Sequence, residues 1–204
     1  MELQRVCVFC GSSVGARTAY ADAAASLGRE LAARGIGLVY GGAGVGLMRV
    51  VAKACRAAGG SVTGVIPESL VEAEVADREL DDLRIVRTMH ERKALMAELA
   101  AGFVALPGGF GTFEEFCEVV TWSQLGLHVP AKPCALLDVD GFYSPLLELF
   151  DRGVGEGFIR PEHRRLVLAA SDPAGVLDVL AAWEPPQPTR KWVDGAVAQD
   201  RGPA

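Results

Sequence analysis

Residues 107–115 read Pro-Gly-Gly-Phe-Gly-Thr-Phe-Glu-Glu, and this stretch fixes how the chain is organised. Before it, Ala101-Gly102-Phe103-Val104-Ala105-Leu106 has the length and apolar continuity of a strand buried on both faces. After it, Phe113 to Leu125 carries apolar residues at helical spacing. The glycines therefore lie where a parallel strand hands over to a helix. At such a junction the backbone N–H groups of Gly109, Phe110, Gly111 and Thr112 can point at an anion, and the helix dipole adds partial positive charge. Glycine admits a phosphate close to the main chain, and Thr112 either caps the helix or offers its hydroxyl. Glu114 and Glu115 stand in the same turn. They are either first-turn acids that suit the helix dipole or acids placed beside a phosphate for chemistry.

Outward from this junction the same alternation runs along the chain. Apolar runs predict strands near 5–10, 36–40, 61–66, 83–87, 102–106, 133–137 and 166–169. Helical spacing predicts helices near 17–34, 45–58, 89–100, 112–126, 144–154 and 173–183. The expected class is α/β, a Rossmann-like, doubly wound, mostly parallel sheet of about seven strands with helices on both faces. Ligands of such sheets bind beyond the carboxyl ends of the strands. Gly11-Ser12-Ser13, Gly41 to Gly46, Pro67-Glu68 and Pro107 to Gly111 all follow strands and can converge on that edge. Residues 1–184 are expected to form one nucleotide-binding domain, without internal repeats. The run Glu184-Pro185-Pro186-Gln187-Pro188 stops helix formation, and 185–204 is expected to be a mobile tail.

A second polar cluster, Met89-His90-Glu91-Arg92-Lys93, opens the helix ahead of the 102–106 strand. Cations in early helical turns oppose the macrodipole, so local stability does not account for Arg92 and Lys93. They are either a solvated pair or two groups facing an anion, Arg92 as a planar fork and Lys93 as a point charge. The nearby glycine turn favours the anion. The loop at 41–46 lacks the final glycine of a dinucleotide fingerprint, and the strand after it, Ser61 to Ile66, does not end in an acid for a ribose diol. No Gly-x-x-x-x-Gly-Lys-Ser/Thr serves a triphosphate. NAD, FAD and ATP are therefore disfavoured. Ser12, Gly46 and Met48 fit a nucleoside pocket better, with Met48 either an adaptable apolar wall or ordinary core.

Together these motifs resemble the LONELY GUY (LOG) family, the cytokinin riboside 5′-monophosphate phosphoribohydrolases. The resemblance runs through Phe9 to Ser13, Tyr40 to Met48, Met89 to Lys93, Pro107 to Glu115, Thr121 to His128, Gly141 to Tyr143 and Glu156 to Ile159. Arg49 stands where the family usually has glycine, and Ala43 replaces a frequent glycine. The resemblance implies hydrolysis of the N-glycosidic bond of adenosine 5′-monophosphate or an N6-prenylated relative, giving free base and ribose 5-phosphate and so activating cytokinins. It implies Arg92 and Glu115 as the catalytic pair. It also implies substrate contacts from Glu74, Lys93, Gly109 to Thr112 and Thr121, and a homodimer with pockets at the shared face. Phe113 and Glu114 complete the candidate set within the glycine turn. Breaking such a bond builds positive charge on the ribose, which a carboxylate can stabilise while it positions and deprotonates water. In that scheme Arg92 holds ribose or phosphate and keeps Glu115 ionised. No metal or organic cofactor is expected. On composition alone Glu74 would be a solvated loop residue.

The bulk properties exclude other classes. With 204 residues, half of them hydrophobic, the chain can bury a sizeable core. A formal charge of −6 and no basic stripe disfavour a nucleic-acid polymer as partner, whereas one phosphate needs only a local cradle. No apolar run has the length of a membrane helix, and Glu2 and Arg5 do not suit a signal peptide. The five cysteines, an odd number in apolar surroundings, suit the reducing cytoplasm. Cys7 and Cys10 are three apart on an expected strand, so their side chains point to opposite faces, against redox or metal pairing. His90, His128 and His163 show no metal spacing. Two other classes stay open: a non-catalytic nucleotide-binding sensor, and a carrier of a phosphorylated pterin-type cofactor. A lysine decarboxylase is disfavoured, because nothing marks a Schiff-base lysine.

Overall fold

The computed structural model describes residues 3–73, 76–80, 82–128 and 131–185. The expected tail beyond 185 and the candidate residue Glu74 lie outside them. Strands β1 (Arg5–Phe9), β2 (Gly37–Tyr40), β3 (Val62–Pro67), β4 (Asp82–Val86), β5 (Gly102–Ala105), β6 (Cys134–Leu137) and β7 (Val167–Ala170) form one sheet in the order β4-β3-β2-β1-β5-β6-β7. Every pairing is parallel. The helices are α1 (Thr18–Ala33), α2 (Gly46–Ala57), α3 (Glu68–Glu72), α4 (Met89–Leu99), α5 (Phe110–Leu125), α6 (Ser144–Gly155), α7 (Pro161–Arg164) and α8 (Pro173–Ala181).

Strand alternation divides the core in two. Val6 and Val8 of β1 pack with Leu27, Leu31, Val51, Leu177 and Leu180, so α1, α2 and α8 cover one face. Cys7 and Phe9 pack with Met96, Ala97, Phe116 and Val119, so α4 and α5 cover the other. Cys10 belongs to the first cluster and Cys7 to the second, as expected for residues three apart leaving a strand. The winding reverses between β1 and β5, because the chain builds β1 to β4 outward on one side and returns to place β5 on the other. That reversal opens a crevice at the carboxyl ends of β1 and β5.

All seven expected strands form, and each long helix falls within a few residues of its expected span. Helix α5 begins at Phe110, earlier than 112. The short helices α3 and α7, and a 3-10 turn at Val139–Gly141, were not expected, since one turn of helix carries no periodicity to read. No described helix is long and apolar enough to cross a membrane.

Helices α1 and α2 touch at Gly28. A Cβ there would lie 2.9 Å from the Cys55 nitrogen and 3.1 Å from Ala54 Cβ, and would meet the Val51 carbonyl. Alanine is the better helix former by about 1 kcal/mol. Overpacking costs about 1–3 kcal/mol, and here it falls on backbone that cannot swing aside. Gly28→Ala is therefore expected to lower the urea midpoint of unfolding and Gly28→Val to lower it further. A Val variant as stable as wild type would overturn the close-contact explanation.

Candidate active site

The turns that leave β1, β2 and β5 are tied to one another at the crevice. Leu106 N–H donates to the Phe9 carbonyl at 2.9 Å, Gly11 N–H to the Pro107 carbonyl at 3.1 Å, and Leu47 N–H to the Gly11 carbonyl at 3.0 Å. Gly46 has φ +56°, a left-handed conformation that suits glycine, and its Cα is pressed against the Ser12–Ser13 backbone. Gly46 thus supports the Ser12 turn and is not itself part of the cleft wall.

At the β5 end, Gly109 is extended (φ −102°, ψ −157°) and takes the cap position of α5. The first helical bond runs from Phe113 N–H to the Gly109 carbonyl at 3.1 Å. The N–H groups of Phe110, Gly111 and Thr112 therefore have no acceptor inside the helix. All three residues line a cleft of about 280 Å³ together with Ser12, Gly109 and Met48. Thr112 is not the cap. It is the third helical residue and is buried, its side chain over Gly108, where a Cβ would lie 2.7 Å from Thr112 Cβ. Phe110 is 93% exposed at the lip of the cleft.

An ion pair lies in the cleft wall. Thr88 caps α4 by accepting from Glu91 N–H at 3.1 Å, and Glu91 in turn accepts from Arg87 N–H at 3.0 Å. This start sets Arg92 on the sheet-facing side of the helix, where it is 8% exposed. Its Nε donates to the Val65 carbonyl at 3.2 Å, and its Nη1 lies 3.2 Å from Glu115 Oε1. Glu115 is also 8% exposed. Burial raises its pKa, an effect that Arg92 opposes and that Glu114 reinforces. The carboxylate is thus poorly hydrated, and its pKa lies above that of an exposed glutamate, with the guanidinium limiting the rise. Burial also raises the pKa of Cys7 and Cys10, with the Glu115 charge adding to it, so both stay thiols.

Lys93 is placed differently from Arg92. Its Nζ donates to Glu114 at 2.6 Å and to Glu118 at 3.0 Å, bridging α4 to α5 outside the cleft wall. Burial works against its charge, but the two carboxylates outweigh that and raise its pKa. Glu114 does line the cleft, with its charge already met by Lys93. Phe113 is directed into the core, with its ring centroid 6.4 Å from Phe142 and 6.2 Å from Tyr143. Thr121 lies further along α5, where its hydroxyl donates to the Cys117 carbonyl at 2.7 Å, and it does not line the cleft. The Gly41–Gly46 loop was expected at this edge, but Gly41 was not singled out as a cleft residue, and neither were Met89 and Met96 of α4. Gly41 could have been found, since it follows the last residue of β2. Met96 lies one helical turn beyond Arg92, in a stretch that reads as core. Among the described residues no three His, Cys, Asp or Glu side chains are grouped as metal ligands.

The cleft can be set beside known proteins. The family model described as possible lysine decarboxylase matches residues 48–180. The probable cytokinin riboside 5′-monophosphate phosphoribohydrolase LOGL9 of rice (Oryza sativa subsp. japonica) is 52% identical over 182 residues, covering 89% of this chain and 79% of its own. The rice phosphoribohydrolase LOG is 52% identical over 167 residues, with 82% and 68% covered. Arabidopsis thaliana LOG2 is 48% identical over 182 residues, with 89% and 84% covered. The chain belongs to the LOG family. Among solved structures, the molybdenum cofactor carrier protein of Chlamydomonas reinhardtii superposes with a TM-score of 0.66 at 24% identity, covering 88% of this chain and 97% of its own. DNA processing protein A of Helicobacter pylori gives 0.57 at 13% identity, with 87% and 80% covered. At these identities the likeness concerns the fold, which the LOG family shares with proteins of other function.

The decarboxylase description finds no counterpart in this LOG-family cleft. Lys93 beside it is held charged by two carboxylates, opposite to what an amine nucleophile needs. Lys132, whose pKa burial lowers, precedes β6 and so sits at the amino edge of the sheet, with its Nζ on the Ala97 carbonyl at 2.6 Å.

Gly41 controls how Arg92 sits. A Cβ on Gly41 would meet the guanidinium and would lie 3.2 Å from Met48 Sδ. Gly41→Ala is expected to push Arg92 away from Glu115. Turnover should then fall by about tenfold to a hundredfold, and because the displaced guanidinium is buried against Glu115 the melting temperature should fall as well. Wild-type kcat in a folded Gly41→Ala variant would show that the spacing of the ion pair does not matter.

Proposed function

We propose that this chain hydrolyses the N-glycosidic bond of adenosine 5′-monophosphate and its N6-prenylated relatives, releasing free base and ribose 5-phosphate. The single observation that carries the reading is the buried Arg92–Glu115 pair, 3.2 Å apart, in the wall of a cleft whose rim is a helix start with unpaired N–H groups. The phosphate occupies the turn from Gly109 to Thr112, where the orphan donors and the helix dipole meet it. Arg92 keeps Glu115 ionised and offers a second N–H edge to ribose or phosphate. As the C1′–N9 bond breaks, its electron pair leaves with the base and the ribose becomes cationic. Glu115 stabilises that charge and takes a proton from the water whose oxygen bonds to C1′, and the departing base takes up a proton in turn, so that it leaves neutral and Glu115 is returned to the carboxylate. Because burial raises its pKa, the acid limb of the rate should lie above the range of an ordinary glutamate, activity being lost as pH falls through that value.

The same reading makes residues 1–184 the catalytic domain and places it in the cytoplasm, which suits four buried free thiols. A sensor would also use the glycine turn, but it would gain nothing from a poorly hydrated carboxylate with an arginine on it. A carrier role has only the likeness of fold in its favour.

The reading is tested with a panel of nucleotides and nucleosides, following free base without added metal. The monophosphates should turn over and the nucleosides should be poor substrates, since the cradle binds only the phosphorylated form. Glu115→Gln should reduce turnover by about a hundredfold or more while the folded variant still binds nucleotide, and Glu114→Gln should do less. Tight binding with no turnover anywhere in the panel would favour the sensor instead.

We also infer a homodimer. Leu125 at the end of α5 and Leu127 just beyond it are exposed, within the Thr121 to His128 segment that carries part of the resemblance to the LOG family. Light scattering at micromolar protein should give twice 21.5 kDa, and a 21.5 kDa particle would refute the dimer.

A further inference from the structure

A second polar cavity lies beside the cleft, on the other side of the loop that follows β2. Helix α2 carries Arg49, Lys53 and Arg56 and no acidic residue, although the chain as a whole has a formal charge of −6. Spacings of four and three residues align these cations on one side of the helix. That side faces the loop at 76–79, and together they enclose about 360 Å³ lined by Arg49, Lys53, Arg56 and Arg78, with Asp77 and Glu79 as the acids.

The two acids offset only half of the four positive charges, leaving the lining at a formal +2. Asp77 is committed to ordering its own loop: its carboxylate accepts from the Tyr40 hydroxyl at 3.1 Å and from Glu79 N–H at 3.2 Å, while its N–H donates to the Gly42 carbonyl at 2.8 Å. Glu79 is 3.7 Å from Arg56 and largely solvent-exposed. Among the described residues no carboxylate lies within ion-pair distance of Arg49, Lys53 or Arg78. Like charges left together in this way repel, and an anion of matching extent relieves that repulsion.

We propose that this cavity is a second anion site, separate from the substrate cradle, for a ligand carrying a chain of two or three phosphoryl groups. Arginine forks suit phosphoryl oxygens, and three of the four cations are arginines. Seven residues separate Arg49 from Arg56, about 10 Å of helix, a span that suits a phosphoryl chain better than one phosphate. The two sites are back to back. Met48 lines the cleft and Arg49 the cavity, and Gly41 and Gly44 stand on the corresponding sides of the same loop. A ligand in the cavity draws α2 and the 76–79 loop together and so stiffens the wall of the cleft from behind.

The test is calorimetric titration of the full chain with inorganic pyrophosphate, tripolyphosphate and orthophosphate. Wild type is compared with the double variant Arg49→Glu/Lys53→Glu and with Arg78→Ala. These side chains are exposed, so the variants should keep the wild-type melting temperature, and Arg78→Ala serves if charge reversal disturbs α2. Wild type should bind one more equivalent of pyrophosphate per chain than the double variant, whether or not the cradle also takes one. Arg78→Ala should weaken that equivalent by about tenfold, and added salt should weaken it further. Equal stoichiometry and affinity in wild type and variants would overturn the site. Orthophosphate binding there as tightly as pyrophosphate would overturn the phosphoryl-chain assignment. Neither outcome depends on hydrolysis, so this proposal can fail while the catalytic one stands, and the reverse.

Discussion

Three turns share one small space at the carboxyl edge of the sheet, and the rest of the site depends on that crowding. The turns after β1, β2 and β5 approach until their backbones bond to one another, Gly11 to Pro107 and Leu47 to Gly11. A Cβ on Gly108 would lie 2.9 Å from the Gly11 nitrogen, and one on Gly46 would enter the Ser12 backbone. Parallel winding brings these turns to the same edge, and glycine lets them close. Once closed, they fix where α5 starts, which N–H groups are left without acceptors, and where a carboxylate one turn along will lie.

The charges around the crevice divide their work. Lys93 offsets one of the two negative charges of Glu114 and Glu118 on the outer side of the helix pair, so the acids near the glycine turn repel a phosphate less than their number suggests. Arg92 is turned inward, bonded to the Val65 carbonyl and paired with Glu115. Adjacent residues of one helix thus perform different tasks: Lys93 clamps α4 to α5, and Arg92 pairs with a carboxylate buried away from water.

The architecture was legible because buried parallel strands and amphipathic helices have distinct periods, and the glycine turns marked the ends of the strands. The resemblance to the LOG family singles out Arg92 and Glu115, and Arg92 also stands out because a cation in an early helical turn opposes the macrodipole. What could not be read depended on docking. Whether Lys93 faced an anion or a carboxylate turned on Glu118, twenty-five residues away and brought close only when α4 packs beside α5. Phe113 lies within the glycine motif, yet its helical phase sends it into the core with Phe142 and Tyr143. The role of Gly41 emerged only from the path of the Arg92 side chain, which no local pattern records.

The burial of Arg92 with Glu115 also bears on descent. Removing one member of a buried pair strands the other charge and costs about 3–5 kcal/mol, a sizeable share of a typical domain's 5–15 kcal/mol. A lineage that abandoned the chemistry by a single substitution at either position would lose stability in the same step. Divergence toward non-catalytic roles on this scaffold is therefore easiest through replacement of both residues together by apolar ones, or by keeping the pair intact and altering the lip around Phe110. A surviving pair would then record a requirement of folding as well as one of catalysis.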